Sequence, residues 1–221
     1  MLCPTNYTVE SYLLEEAINQ SDKDEFKLIL NQPTGNFFYD PWVIKPEFVG
    51  TIWEDILNSL PLDKGEARLI TLKPGTSYYS HADADDRWHL NLKSEYGFLC
   101  DLDNQQMHLL TPDGIWYDMD AGRIHSAVNF GHSDRVQLVV RQLLKSNTLK
   151  NPISIKIRIK ETSPDYRYQF DRTISPWLNR ANKKGTISNF KFLDTEVSFD
   201  VEVDELNSLK RIIPVLFEIV E

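Results

Sequence analysis

Hydrophobic and polar positions follow three different rhythms along this chain, and the changes of rhythm divide it. In the first zone, residues 1 to about 62, apolar positions recur at helical spacing. From Thr8 to Asn19 the shared face holds Tyr12, Leu13, Leu14 and Ala17. From Pro46 to Leu60, Phe48, Val49, Ile52, Trp53, Ile56, Leu57 and Leu60 recur every three or four residues, which predicts a helix with one buried stripe. Pro46 suits its first turn, and Pro61 cannot continue it.

The second zone, from about Glu66 to Leu144, switches to period two and is broken at short intervals by turn residues. Ala67 to Lys73 is one predicted strand, closed by Pro74-Gly75. Trp88, Leu90 and Leu92 alternate with His89 and Asn91 in the next. Gly97 to Leu102 and Gln106 to Leu110 flank Asp101 to Asn104 as a hairpin. Pro112-Asp113-Gly114 marks a turn, and Ile124 to Asn129 and Val136 to Leu144 complete the set. Many short strands with regular punctuation predict a mainly β sandwich or barrel of jelly-roll type.

The third zone, residues 151–221, predicts a small α/β subdomain beside a first domain spanning 1–150. Ile153, Ile155, Ile157 and Ile159 alternate with Ser154, Lys156, Arg158 and Lys160. Val197, Phe199, Val201 and Val203 alternate with Glu196, Ser198, Asp200 and Glu202. The opposite charges of the two polar faces predict neighbouring strands of one sheet. Their apolar faces should pack on a helix, and the sheet should be a scaffold without catalytic residues. Ser175 to Asn182 suggests a short helix. Leu206 to Val220 contains Pro214, so it is either a broken helix or a helix followed by a strand.

Charge narrows the partners. Lys and Arg total 24 against 33 Asp and Glu, a net charge of −9, which argues against nucleic acid and anionic membranes. No run approaches the roughly 18 apolar residues of a spanning helix. The N-terminal MLCPTNYTVE shows neither a basic nor an apolar leader segment, so no signal peptide is expected. The two cysteines, Cys3 and Cys100, exclude a disulfide framework and any site needing three thiolates. A soluble, cytoplasmic protein is the expectation; the oligomeric state is open.

Chemistry concentrates at Ser80-His81-Ala82-Asp83. Residues two apart on an extended segment point to the same side, so His81 and Asp83 could grip one ion. His125, at the start of a later strand, could supply a third ligand as the chain returns. Two imidazoles and one carboxylate on one face suit iron(II) with open positions for substrate and oxygen. Arg135 begins the strand after His125. A strand-borne arginine beside such a site could clamp the far carboxylate of 2-oxoglutarate through paired hydrogen bonds. Asp85 and Asp86 are rival carboxylates to Asp83. Trp42, Tyr79 and Trp116 could line a pocket or simply pack.

The stretch LKPGTSYYSHADADDRWHLNL, followed by GIWYDMDAGRIHSAVNFGHSDRVQLVV, resembles the aspartyl/asparaginyl β-hydroxylase family of iron(II)- and 2-oxoglutarate-dependent dioxygenases. Asp83 stands where the animal members have glycine, as in proline-hydroxylase-like members. The resemblance covers residues 69–140 and implies a double-stranded β-helix, the cupin-like jelly roll. It implies that His81, Asp83 and His125 hold iron(II), and that Arg135 and His89 hold 2-oxoglutarate. It implies that Arg87 faces the prime substrate; an ion pair with Asp85 or Asp86 is the other reading of that residue. Asn129 shares parity with His125 and could either support the ligands or contact the substrate. The expected substrate is a small molecule or peptidyl residue, hydroxylated with O2 to give succinate and CO2. A cupin-like metal enzyme without 2-oxoglutarate, and a non-catalytic jelly-roll binding module, are the alternatives.

Overall fold

The computed structural model describes residues 2–21, 26–159, 165–193 and 196–220. In chain order the first half gives β1 (Leu2–Thr8), α1 (Ser11–Gln20), β2 (Lys27–Ile29), β3 (Asn31–Pro33), β4 (Trp42–Ile44), α2 (Ile52–Asn58) and β5 (Lys64–Leu72). The middle adds β6 (Arg87–Lys93), β7 (Gly97–Asp101), β8 (Gln106–Leu109), β9 (Ile115–Met119), β10 (His125–Asn129) and β11 (Arg135–Gln142). The end adds β12 (Pro152–Ile159), α3 (Tyr166–Gln169), α4 (Ser175–Lys184), β13 (Ile187–Leu193), β14 (Glu196–Glu202), α5 (Val203–Ile212) and β15 (Phe217–Val220).

Two sheets form the core. The larger runs β1-β9-β6-β11-β5-β2, antiparallel throughout; the smaller runs β10-β7-β8. The bridges Ser77↔Val128 and His81↔His125 lay residues 77–81 along the free side of β10. From β5 to β11 the chain therefore passes between the sheets in turn: β5, residues 77–81, β6, the β7–β8 hairpin, β9, β10, β11. That alternation is a double-stranded β-helix. The sheets face each other across a cavity lined from both sides, by Arg87, Arg135 and Gln137 on one and Leu99, His125 and Ala127 on the other.

Period-two patterning fixes which face is which. The outer face of the larger sheet shows Leu69, Leu90, Leu92, Val136, Leu138 and Val140, which pack with Leu13, Ala17, Trp53 and Ile56 of the two N-terminal helices. Each such side chain removed from water contributes about 1.5–3 kcal/mol. The inner face is polar and charged. Arg87, His89 and Asn91 therefore point into the barrel while Trp88, Leu90 and Leu92 face the helices.

The N-terminal zone differs from the prediction in two places. Residues 2–8 are an edge strand paired with β9, so the first helix starts only at Ser11 and leaves Tyr12 67% exposed. The predicted Pro46–Leu60 helix is split: one tight turn at Pro46–Phe48, then Gly50 at φ 71°, then α2. A left-handed residue ends a helix, and Val49 is left exposed.

In the third zone β12 and β14 pair, from Pro152↔Glu202 to Arg158↔Glu196, within a sheet of order β13-β14-β12-β15. Lys156 and Arg158 both reach Glu196, at 3.0 and 3.4 Å, and Ser154 donates to Asp200 at 2.5 Å; Lys160 lies outside the described residues. Exposed pairs add little. The weight rests on Ile155, Ile157, Val197, Phe199 and Val201 packed with Trp177, Leu178, Leu206 and Leu209. The α5 helix stops before Pro214 and β15 follows, pairing with β12. Among the described residues no helix is long and apolar enough to cross a membrane.

Candidate metal centre

His81 and His125 are directly opposed residues, bonded through both backbone pairs at 2.9 and 2.8 Å. Opposed residues project to the same face, and the two rings lie 4.4 Å apart. Asp83 follows two residues later, fixed by its N–H on the Ala121 carbonyl at 2.8 Å. One ligating atom from each of the three lies within 4.8 Å of the others. His125 Nε2 stands 3.8 Å from Asp83 Oδ2.

The ring nitrogens are sorted for ligation. His81 Nδ1 is 2.9 Å from the Tyr79 carbonyl and His125 Nδ1 is 2.8 Å from the Arg123 carbonyl. A carbonyl only accepts, so each Nδ1 carries a proton and Nε2 is the nitrogen left to ligate. Burial pushes the His125 pKa down to about 4, against the pull of Asp83, so its ring is neutral at pH 7. Burial alone would raise the Asp83 carboxyl, but Arg87, then His81 and His125, hold it well below the usual carboxylate range.

Arg87 takes up the ion pair that is one of its two readings, and adds a second to Asp83. Its Nη2 pairs with Asp83 Oδ1 at 2.9 Å and its Nη1 with Asp85 Oδ1 at 2.6 Å. The second oxygen of Asp85 takes Arg141 Nε at 2.5 Å, and the Arg141 guanidinium lies 4.0 Å from the Phe37 ring. Both terminal nitrogens of Arg87 are thus spent on the protein's own carboxylates, and it is 5% exposed. It occupies one oxygen of Asp83 and leaves Oδ2 toward the histidines. Neither rival carboxylate competes. Asp85 is held by two arginines, and Asp86 by Lys183, Asn179 and the Ala121 N–H.

Asn129 is held by the backbone around it. Its amide donates to the Leu72 and Ser133 carbonyls at 2.9 and 2.8 Å and accepts from Gly131 N–H at 3.0 Å. It is fully buried, and these bonds tie the end of β5 to the turn between β10 and β11. Trp116 is a packing residue, wholly buried with its indole N–H on Ser59.

Arg135 and His89 line the inner chamber with the triad. Arg135 is 3% exposed and has no carboxylate partner among the described residues: Nη2 donates to Gln137, while Nε and Nη1 have no acceptor there. Burial lowers its pKa to about 10. Gly97 makes room for it, since a Cβ there would meet Arg135 Cδ at 2.6 Å. His89 Nδ1 is buried without a partner, and burial, then Arg135, pushes its pKa down to about 3. The inner chamber measures about 50 Å³. It opens onto an outer cavity of about 600 Å³, with Arg68, His81, Asp83 and Arg87 lining both.

The outer cavity corrects the view of the third zone as pure scaffold. Phe170, Asp171 and Phe190 line it. A π-helical turn at Phe170–Ile174 joins α3 to α4, and its Asp171 carbonyl accepts the N–H of Ala82, between the two ligands, at 2.8 Å. Tyr79 OH donates to Asp171 Oδ2 at 2.7 Å, and Arg172 to Ser80 at 2.6 Å. These contacts join residues about ninety positions apart, and the Asp85–Arg141 pair spans 56, distances that single-strand patterning could not bridge.

No protein-family model matches this sequence, and no curated protein matches it. Solved structures show partial likeness. CapF, a capsular polysaccharide assembling protein from Staphylococcus aureus, overlaps 53% of this chain at 15% identity and TM-score 0.32; the match spans 32% of the CapF chain. A sugar phosphate isomerase from a cupin superfamily, from Silicibacter pomeroyi, overlaps 44% at 21% identity and 0.30, spanning 58% of its own chain. The DMSP lyase DddQ from Ruegeria pomeroyi overlaps 64% at 14% identity and 0.32, spanning 77% of its own. Likenesses of this size assign no reaction; the chemistry must come from the site.

Proposed function

We propose that this chain is an iron(II)- and 2-oxoglutarate-dependent dioxygenase that hydroxylates an unactivated C–H bond of an amino acid, peptidyl residue or related small carboxylic acid. The observation that carries this reading is Arg135. A guanidinium buried without a counter-ion is costly, and this one shares a small chamber with a three-ligand group. A carboxylate from a metal-bound acid would take its two idle nitrogens. A metal enzyme without such a cosubstrate, or a binding module, has no use for it.

His81, Asp83 and His125 would hold the metal through two Nε2 atoms and one carboxylate oxygen. Arg87 keeps Asp83 oriented by occupying its other oxygen. Arg135 would bind the far carboxylate of 2-oxoglutarate, trading its Gln137 contact as the acid enters, because the chamber holds only a few waters as it stands. Neutral His89 lies beside it with one nitrogen to offer. Bound together, iron(II) and 2-oxoglutarate supply the oxidising power for hydroxylation by O2, with succinate and CO2 as co-products. The outer cavity would admit the prime substrate.

Succinate formation tests the reading. Wild-type protein supplied with iron(II), 2-oxoglutarate, O2 and a screen of amino acids and peptides should release succinate with a mass gain of one oxygen on a substrate. Turnover of a metal-dependent reaction that leaves 2-oxoglutarate untouched would favour the cupin-like alternative.

A further inference from the structure

Arg87 is spent on Asp83 and Asp85, yet a second guanidinium faces the same space. Arg68 lies on β5 in the same row as His89, since Val139 of β11 pairs with both. It lines the inner chamber and the outer cavity alike. Its Nη1 donates to Glu66 at 2.8 Å, and its Nε is buried with no acceptor. Glu66 also pairs with Lys27 at 3.3 Å. Two cations thus share one carboxylate and leave surplus positive charge in that corner of the cavity. A buried donor without an acceptor calls for an explanation, and a ligand is the simplest one.

Elsewhere the outer cavity combines charged groups, Arg141, Arg167 and Asp171 among them, with an aromatic wall. Phe37, Phe38, Phe170, Phe190 and Phe192 line it, with Phe38 and Phe190 edge to face at 4.5 Å and Phe170 and Phe192 at 5.7 Å. Phe37 is 41% exposed and Phe192 37%, so neither is fully covered by the protein. About 600 Å³ suits a ligand of drug-like size and far exceeds a small free amino acid.

We infer that the prime substrate is a carboxylate bearing a bulky apolar or aromatic group, that Arg68 anchors the carboxylate, and that the phenylalanine wall receives the apolar part. The word substrate rests on the hydroxylase reading; the binding itself needs neither metal nor 2-oxoglutarate. Arg68 then selects for acids, and the wall selects among them.

Calorimetric titration of the metal-free full chain with 3-phenylpropanoate, and with its neutral amide, tests this. The acid should bind saturably and the amide at least tenfold more weakly. Arg68→Gln should lose tenfold or more for the acid, with folding checked by circular dichroism. Arg68→Lys keeps the charge facing Glu66 but loses the fork, and should bind several-fold more weakly; it decides the matter if the Gln variant does not fold. Phe37→Ala should weaken the acid likewise. Binding of 2-oxoglutarate to Arg135→Gln reports separately on the dioxygenase reading. No saturable binding, equal binding of acid and amide, or wild-type binding by the Arg68 variants would each overturn the assignment.

Discussion

Replacing Arg135 with Met should stabilise the ligand-free protein and abolish its response to 2-oxoglutarate. The guanidinium is 3% exposed and faces no carboxylate among the described residues. A fall in its pKa from 12.5 to about 10 corresponds to roughly 3 kcal/mol of penalty on the charged form. The sign follows from linkage. Below about pH 10 the group is charged in both folded and unfolded chains, so the whole penalty acts at pH 7; it is relieved only as pH rises from about 10 toward 12.5. Methionine fills similar space without charge. Gln137 loses its donor in the exchange, which returns part of the gain, so the net is about 1–3 kcal/mol. For a chain of this size that raises Tm by about 2–12 °C. The assay is thermal unfolding with and without 2-oxoglutarate, using manganese(II) in place of iron. The acid should stabilise the wild type by about 2.7 kcal/mol at a hundredfold excess over Kd and leave the variant almost unmoved. A ligand-free Tm that drops several degrees, or undiminished stabilisation by 2-oxoglutarate, would refute the reasoning.

Three further outcomes follow from the same geometry. Arg87→Gln should lower metal affinity roughly 10–100-fold, measured by chelator competition, because Asp83 loses the partner that orients it; unchanged metal affinity with lost substrate binding would restore the substrate role. Stability of the metal-free protein should fall as pH drops below about 6.5, because buried His89 resists protonation down to about pH 3 while the unfolded chain does not. That loss is roughly 2 kcal/mol at pH 5, and urea midpoints should show it flattened in His89→Gln. Asn129→Ala should cost about 1–3 kcal/mol in urea unfolding and leave KM for the prime substrate unmoved.

What could be read from sequence was what repeats locally. The Trp88–Leu92 alternation placed His89 inside the barrel and the leucines against the helices. The opposite charges of β12 and β14 placed them side by side. The His-x-Asp spacing and the distant His125 meet as expected because a bridge pairing sets the two histidines face to face. Other features have no local signature. β9 was missed although Trp116 and Met119 are buried, because Asp118 and Tyr117 between them blur the alternation. The split of the second helix turns on one residue, Gly50, inside an otherwise continuous stripe. The partners of Arg87 and Asn129 depend on which strands lie side by side, so charge and parity left two readings of each open, and nothing local marked the cavity face of Arg68.

The most direct test of the central claim is anaerobic absorption spectroscopy of the wild-type protein titrated with iron(II) and then 2-oxoglutarate. A 2-oxo acid bound through its carboxylate and keto oxygen to protein-held iron(II) gives visible charge-transfer absorption that neither component gives alone. The account predicts that this absorption appears on adding both, saturates at one iron per chain, and is absent in His125→Ala. It is contradicted if the wild type, loaded with iron(II), gives no such absorption with 2-oxoglutarate, or if the His125→Ala protein gives it undiminished.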